Sequence, residues 1–315
     1  MALRPVHIAS LCLTVGFAVP ASSQQSQIDV ARQFDAVDPA RSVRDIHATP
    51  AVPSLPQSGG GQDFDSFGIQ QMLVCGPERA RYFRTFGEIS GFVTDNVGLS
   101  RRDAVSDSFL VGTFGLDYRR PLKRGFHVDA GFQAAIFRYN EFRQFDFNSF
   151  DVGVGLTYQW KKFGGVDLSA RYNFNTLQAA STGDTLFENH TITAAVEKIF
   201  QFGTAHYALL GVSGRAGFAD TRANERHEAG VYAGYHVEVL PRLYVDLGYR
   251  YACYAYTEGH RVDHNQTASL GVRYRLRDWC SASVSSFHVW DRSNRDVLSY
   301  NAGSAGGALM LMLRF

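Results

Sequence analysis

Large apolar residues alternate with polar or small ones along most of the chain from residue 82 onward. In residues 150–160 the even-numbered positions are Phe, Val, Val, Leu, Tyr and Trp, and the odd-numbered ones are Asp, Gly, Gly, Thr and Gln. Residues 229–239 and 267–276 repeat this pattern. Because successive side chains of a strand point to opposite faces, the pattern predicts strands with one apolar face and one polar face.

The alternation divides the chain into twelve predicted strands. They are longer than the ~5–6 residues usual in soluble proteins, and each can supply the ~9–11 residues that cross a bilayer at a tilt. The predicted strands are residues 82–95, 107–120, 125–139, 149–160, 165–176, 189–200, 205–218, 228–240, 243–256, 266–277, 281–291 and 299–315. A barrel of ten or fourteen strands remains an alternative, because the first and eleventh segments alternate poorly.

The connections between these strands alternate in length. Short turns are expected at residues 121–124, 161–164, 201–204, 241–242 and 278–280, whereas longer polar connections are expected at 177–188, 219–227 and 257–265. An even number of strands with short turns on one side is typical of a transmembrane antiparallel up-and-down β-barrel with both termini in the periplasm. A soluble all-β protein is the alternative, but it would have to bury many long apolar faces.

The chain ends on an apolar strand. Leu309, Leu311, Leu313 and Phe315 fall on one face of it. In this respect the chain resembles bacterial outer-membrane β-barrels, which commonly end in such a strand with a C-terminal Phe. The resemblance implies a location in the bacterial cell outer membrane, and recognition of the C-terminal strand by the barrel-assembly machinery.

A second resemblance covers about fifteen residues near the first predicted strand. The run Thr-Asp-Asn-Val-Gly-Leu-Ser at 94–100, followed by Asp-Ser-Phe at 107–109, is similar to the opening of a loosely defined set of β-barrel porins. In these proteins a strand ends in an Asp-Asn-hydrophobic turn. The resemblance implies membership of a broad class and no particular substrate.

The first 81 residues differ from the rest of the chain. Residues 1–23 have a short basic start, an apolar stretch and a small-residue boundary, which predict a secretory signal peptide. Residues 24–62 are rich in Pro and Gly and are predicted to be a flexible periplasmic segment. Residues 63–81 are predicted to lead into the barrel, which occupies residues 82–315.

The composition is compatible with this prediction. The chain is 45% hydrophobic, carries 24 Phe and 15 Tyr, and has a net charge of +1, while its mean hydropathy is only −0.16. No stretch after residue 23 approaches the ~18 uninterrupted apolar residues of a transmembrane helix. A barrel needs no such run, because only alternate residues face lipid. The near-neutral charge gives no reason to expect nucleic-acid binding.

Charged residues on the predicted inward face are the candidates for lining a pore. They are Asp117, Arg119, Asp129, Asp151, Asp167, Arg171, Glu197, Arg215, Glu238, Asp246, Arg250, Arg273 and Arg275. Charges inside a barrel must be solvated or paired. They therefore line a narrow water-filled channel or pair across the lumen and close it. Arg250, Arg273 and Arg275 form either a basic ladder that favours anionic solutes or a structural network with Asp246 and Glu238.

Aromatic residues on the predicted outward face are expected to anchor the barrel among outer-membrane lipids. These anchoring candidates are Tyr158, Trp160, Tyr172, Phe174, Tyr249, Tyr251 and Phe315. We assign them no binding role.

The sequence indicates no enzyme, metal site or cofactor. Three loop residues, His260, Asp263 and His264, lack a fourth ligand for a metal ion. The densest Ser/His group, Ser283, Ser285 and Ser286 near His288, has no evident acid to orient the histidine. We expect a narrow pore for passive diffusion of small hydrophilic solutes. The alternatives are a closed structural or adhesive barrel that presents loops to partners, and a lipid-modifying barrel enzyme.

Overall fold

The computed structural model describes residues 82–315, which form twelve antiparallel strands. The expectations for residues 1–23, 24–62 and 63–81 concern parts of the chain outside these described residues. The strands are β1 (Phe83–Thr94), β2 (Asp107–Pro121), β3 (Phe126–Tyr139), β4 (Phe147–Trp160), β5 (Val166–Ala179), β6 (Thr185–Phe202), β7 (His206–Ala219), β8 (Arg226–Leu240), β9 (Leu243–Tyr256), β10 (Val262–Arg277), β11 (Cys280–Ser293) and β12 (Tyr300–Arg314).

Each strand pairs with its neighbours in sequence, and β1 pairs with β12 to close the sheet. The closing ladder extends from the Arg84–Arg314 pair to the Thr94–Ser304 pair. Beyond it, the backbones of Phe83 and Phe315 exchange two hydrogen bonds of 3.0 Å. Closure leaves no unpaired sheet edge, which is what allows a sheet to span lipid. The predicted twelve-stranded antiparallel up-and-down barrel is confirmed.

The two ends of the barrel have connections of different length. Turns of two to five residues, at 122–125, 161–165, 203–205, 241–242 and 278–279, lie at the end that also holds Phe83 and Phe315, and we call this the turn end. The connections at the opposite loop end are 95–106, 140–146, 180–184, 220–225, 257–261 and 294–299. The asymmetry matches the sequence pattern, whereas the periplasmic location of the termini stays a prediction.

Several strands extend further toward the loop end than the alternation predicted. β6 begins at Thr185 and β10 at Val262, so that the connections expected at 177–188 and 257–265 shrink to five residues each. The added positions are mostly polar, yet their backbones continue the ladders. A strand continues as long as its backbone pairs with its neighbours, as at 263–265 of β10, and hydropathy does not detect this pairing.

Helices are minor in residues 82–315. The described helices are five 3-10 turns, at Lys123–Gly125, Arg143–Phe145, Lys161–Phe163, Arg222–Asn224 and Asp296–Leu298. No helix in this part of the chain is long and apolar enough to cross a bilayer.

Hydrogen bonds from loop residues to a neighbouring loop or strand hold the loop end together. The amide of Ala180 donates to the carbonyl of Asp146 (3.1 Å), and the amide of Asp220 donates to that of Glu188 (3.0 Å). The Asp-Asn turn after β1 takes part through Asn96, whose Nδ2 donates to the Asn301 carbonyl at 2.8 Å. These bonds hold the loops close to the strand ends.

Candidate functional site: the barrel lumen

The ladder registers place all thirteen predicted lining residues on the inward face. On β2, for example, Leu110 is 61% exposed on the outer face, whereas its neighbour Val111 is 4% exposed on the inner one. Counting by twos from Val111 reaches Asp117 and Arg119 on the same face. The positions therefore agree with the sequence analysis, whereas their part in a conducting pore stays a prediction.

Inward charges in the turn half of the lumen pair along the wall. Arg84 on β1 binds Asp117 on β2, with a shortest N–O distance of 2.6 Å. Arg171 on β5 forms an ion pair with Asp129 on β3. The second pair crosses the intervening β4 at Gly153 and Gly155, where an added Cβ would collide with its polar atoms. Glycine on β4 thus makes room for a contact between strands that do not touch.

The same device recurs on the other side of the barrel. The hydroxyl of Tyr232 on β8 donates to Glu197 on β6 at 2.6 Å, and it does so over Gly211 of β7, where a Cβ would collide with the tyrosine ring. His236 and Asp246, on adjacent strands, lie 2.5 Å apart (Nδ1 to Oδ1). The polar side chains of the lumen therefore contact one another around the wall, between strands that are adjacent or next-adjacent.

Of the three arginines expected to form one ladder, Arg250 has surroundings of its own, whereas Arg273 and Arg275 share an aromatic ring. Arg250 is buried and pairs with Glu228, and it also donates to the Tyr254 hydroxyl at 2.9 Å. Arg273 and Arg275 lie over the Tyr244 ring, with their guanidinium carbons 5.1 and 5.6 Å from its centroid.

The two carboxylates expected to form a network with these arginines, Asp246 and Glu238, have the following contacts. Asp246 contacts His236, and the Glu238 carboxylate accepts the backbone amide of Arg242 at 3.0 Å. Arg250 lies nearer the loop end than Arg273 and Arg275, and at that level the carboxylate it meets is Glu228.

A charged network occupies the loop half of the lumen beside β8–β10. Its members are Arg226, Glu228, Arg250, Arg261 and Asp263, all of which are buried. The Arg261 Nη2 atom lies 2.5 Å from an Asp263 oxygen. Two tyrosine rings separate the arginines, because Arg226 stacks 3.9 Å from the Tyr254 centroid and Arg261 stacks 4.2 Å from that of Tyr256. Burial makes these contacts mutually dependent, since an unpaired charge here would be costly.

The remaining wall of the loop half carries an apolar cluster that sequence reasoning missed. Its buried members are Phe92, Val97, Phe109, Val111, Ala135, Phe137, Tyr139, Phe147, Leu177, Phe187, Phe287, Val289, Tyr300 and Ala302. Phe137 stacks on Phe147 with ring centroids 4.3 Å apart. A signal existed in the sequence: at 109–111 and 136–137 consecutive residues are all large and apolar, so that both faces of the strand are apolar.

The ion pairs described above cannot cross the full lumen. Twelve strands spaced ~4.8 Å and tilted about 40° give a barrel about 24 Å across between opposite backbones. Contacts between adjacent or next-adjacent strands follow the wall over a small part of that circumference. The lumen therefore has a charge-lined turn half and a loop half with an apolar side and a charged side.

The Ser/His group and the possible metal ligands are divided by the barrel wall. Asp263 is buried in the lumen, whereas His264, on the other face of β10, is exposed. Ser286 and His288 likewise lie on the face of β11 opposite to that of Ser283 and Ser285. Among the described residues no group of three His, Cys, Asp or Glu side chains could hold a metal ion. The loop expected to hold both His260 and His264 ends at Arg261, because β10 begins earlier than predicted.

The predicted anchoring residues lie on the outer face. They alternate with inward positions in the ladders, and Tyr172, Tyr249, Trp160 and Phe315 are among the exposed large side chains. Tyr172 and Tyr251 also contact outward histidines, with hydroxyl-to-Nδ1 distances of 2.7 Å to His190 and 2.8 Å to His264. Anchoring in lipid stays their predicted role.

Comparison with known proteins gives a similarity of fold. No family model and no curated protein matches the chain. An outer-membrane channel from Pseudomonas putida F1 superposes with a TM-score of 0.51 at 11% identity, over 74% of this chain and 96% of that one. LpxR from Salmonella typhimurium gives 0.42 at 6% identity (71% and 99% covered), and an anion-selective porin from Comamonas acidovorans gives 0.37 at 10% (74% and 99% covered).

Two findings agree on the architecture. The sheet closes on itself with twelve antiparallel strands, and a solved outer-membrane channel shares this fold over almost its whole length. The apolar outer face, with Leu110, Ile136 and Val152 exposed, is the surface that such a protein presents to lipid, and it supports an outer-membrane location. The chain therefore has the fold of a bacterial outer-membrane β-barrel.

Proposed function

We propose that the protein is a narrow channel for passive diffusion of small hydrophilic solutes across the outer membrane. The observation that carries this proposal is the direction of the ion pairs in the turn half of the lumen. Arg84–Asp117 and Arg171–Asp129 follow the wall between near strands, so these pairs leave the axis of the barrel unbridged. Their side chains are 22–38% exposed, as expected for charges that border water.

The loop half sets the size of the passage in this proposal. There the apolar cluster and the charged network both extend inward and are buried. Within residues 82–315 the longest loop, 95–106, has twelve residues and the others have five to seven, so none of these loops is long enough for an extended inward-folded constriction. We infer that lumen side chains form the narrowest part, and that only small solutes pass it.

A second candidate function is a closed barrel that presents its loop end to partners. The specific observation in its favour is the burial of the apolar cluster, in which Phe147 and Val289 are fully buried. No catalytic role is proposed.

Single-channel conductance of the refolded protein in a planar bilayer distinguishes the two candidates. We expect discrete, small conductance steps. Arg119 and Arg120 offer a matched pair of variants, because they are adjacent, both exposed, and on opposite faces of β2. Arg119→Ala should shift the ion selectivity toward cations, whereas Arg120→Ala should leave it unchanged.

Protein that is folded by gel shift yet silent in the bilayer would favour the closed barrel. A selectivity that responds equally to both variants would contradict a path through the lumen. Phe137→Ala gives an independent check, because removal of a ring from the apolar cluster should enlarge the conductance step.

A further inference from the structure

Six basic side chains gather on one sector of the turn end. We call this group the basic rim: Arg120, Lys123, Arg124, Lys161, Lys162 and Lys198. Five of them are exposed, and Lys198 is half-buried. They belong to the end of β2, the two turns that follow β2 and β4, and the outer face of β6.

Within residues 82–315, no acid neutralises the basic rim from the outside. The described turns 122–125, 161–165 and 203–205 contain no Asp or Glu. The nearest carboxylates on these strands, Asp129, Asp167 and Glu197, face the lumen. The opposite sector is mixed in sign, since Arg242 and Arg277 there neighbour Glu238 and Asp278. A sector of six uncompensated cations favours an anionic partner.

The basic rim adjoins an apolar groove in the outer wall. This groove has a volume of about 440 Å³ and is lined by residues of β5–β9, mainly by outward side chains such as Val196, Leu210, Val212, Val231 and Ala233. Its lining is apolar, as the surface around a hydrocarbon chain would be.

Lys198 joins the groove to the basic rim. It lines the groove, and its Nζ atom lies 5.1 Å from the centroid of the Phe200 ring. A Cβ placed on Gly164 would lie 3.2 Å from the same Nζ, so the ammonium group sits against the turn that carries Lys161 and Lys162. One charged group therefore stands at the boundary between an apolar cleft and exposed cations.

We propose that this surface is a binding site for an anionic glycerophospholipid. The lipid phosphate contacts Lys198, Lys161 and Lys162, and one acyl chain lies in the groove. The lysines lie beside the apolar groove, as the anionic headgroup of a phospholipid lies beside its acyl chains. Lysine near a membrane surface favours anionic over zwitterionic headgroups. The proposal is independent of whether the lumen conducts solutes.

A phospholipid fits the location better than a lipopolysaccharide does. In barrels of this architecture the short turns lie on the periplasmic side, and the leaflet there consists of phospholipids. The basic rim lies at the turn end, together with the backbones of Phe83 and Phe315. The same orientation that places the termini in the periplasm thus places the basic rim among phospholipid headgroups.

Native mass spectrometry of the full chain, refolded in a neutral detergent, tests the proposal. The protein is titrated with phosphatidylglycerol or with phosphatidylcholine of the same acyl chains. We expect phosphatidylglycerol to bind preferentially. Since each lysine near an anionic surface contributes about fivefold, Lys161→Gln/Lys162→Gln should lower that preference about twenty- to thirtyfold, and Lys198→Gln about fivefold.

Matched control variants distinguish binding at this site from non-specific electrostatic attraction between the protein and anionic lipids. Arg242→Gln/Arg277→Gln removes two exposed cations from the opposite sector and should leave the preference unchanged. Ala233→Phe fills the groove and should weaken both lipids, while retained heat-modifiable migration shows that each variant is folded. Equal binding of both lipids, an equal loss in the control variant, or stronger binding of lipopolysaccharide than of phosphatidylglycerol would each overturn the proposal.

Discussion

Removing one partner of the buried Arg250–Glu228 pair should cost far more stability than removing one partner of a pair on the surface. Its side chains are 9% and 4% exposed. Replacing Arg250 by Met keeps most of the volume but leaves the Glu228 carboxylate without its closest partner. Such a loss costs about 3–5 kcal/mol in buried pairs. Arg215, 4.0 Å from Glu228, offsets part of this, so we expect a loss of about 3 kcal/mol.

Two further variants isolate the charge effect. Glu228→Gln, added to Arg250→Met, removes the unpaired carboxylate and should restore more than half of the lost stability. Arg101→Met breaks the loop pair with Asp296, whose side chains are 48% and 85% exposed. Exposed pairs contribute about 0–1 kcal/mol, so this variant should change the free energy of unfolding little.

Urea unfolding in phospholipid vesicles, followed by tryptophan fluorescence, measures these differences. The reasoning fails if Arg250→Met destabilises the barrel no more than Arg101→Met does. It fails also if Glu228→Gln gives no recovery in the double variant, because the cost would then come from lost packing around Tyr254 and not from a buried charge.

Three other predictions concern the architecture. Gly153→Val should destabilise the barrel by about 1–3 kcal/mol in the same assay, because its side chain would displace Asn173 and the ion pair above it. Gly87→Val, with open space at the Cβ position, is the control. Deletion of residues 24–62 should leave heat-modifiable migration intact, since the twelve strands close among themselves, and loss of that migration would refute this. Removal of Phe315 deletes two backbone hydrogen bonds and a stacked ring, and should cost about 1–3 kcal/mol.

The two halves of the lumen differ, so the lumen is neither a uniformly charge-lined channel nor a uniformly closed interior. In the turn half, partly exposed charges follow the wall, as Arg171 does with Asp129. In the loop half, Phe137 and Phe147 stack among buried neighbours. A channel through this barrel would have a wide, wet entrance at the turn end and a narrow, mixed passage at the loop end. Conductance and selectivity would then depend on different residues.

The sequence by itself determined the class of fold and the face of the charged residues. A period of two over twelve segments specified strands, the alternating connection lengths specified an up-and-down order, and parity alone placed Asp129 and Arg171 in the lumen. These features are local, because a strand's two faces follow from backbone geometry whatever lies opposite. The loop-end extensions of β6 and β10 were missed, because the strands there are held by backbone pairing, which leaves no signal in the hydropathy pattern.

Only the tertiary structure decided which residues meet. Arg250 binds Glu228, Asp246 contacts His236, and Arg171 reaches Asp129 over the glycines of β4. Such contacts depend on the register of neighbouring strands, on strand tilt, and on gaps in the strand between. The inward apolar cluster was hidden for a related reason: large apolar residues on both faces are indistinguishable by type, and only closure of the sheet separates the rings that face lipid from those that fill the lumen.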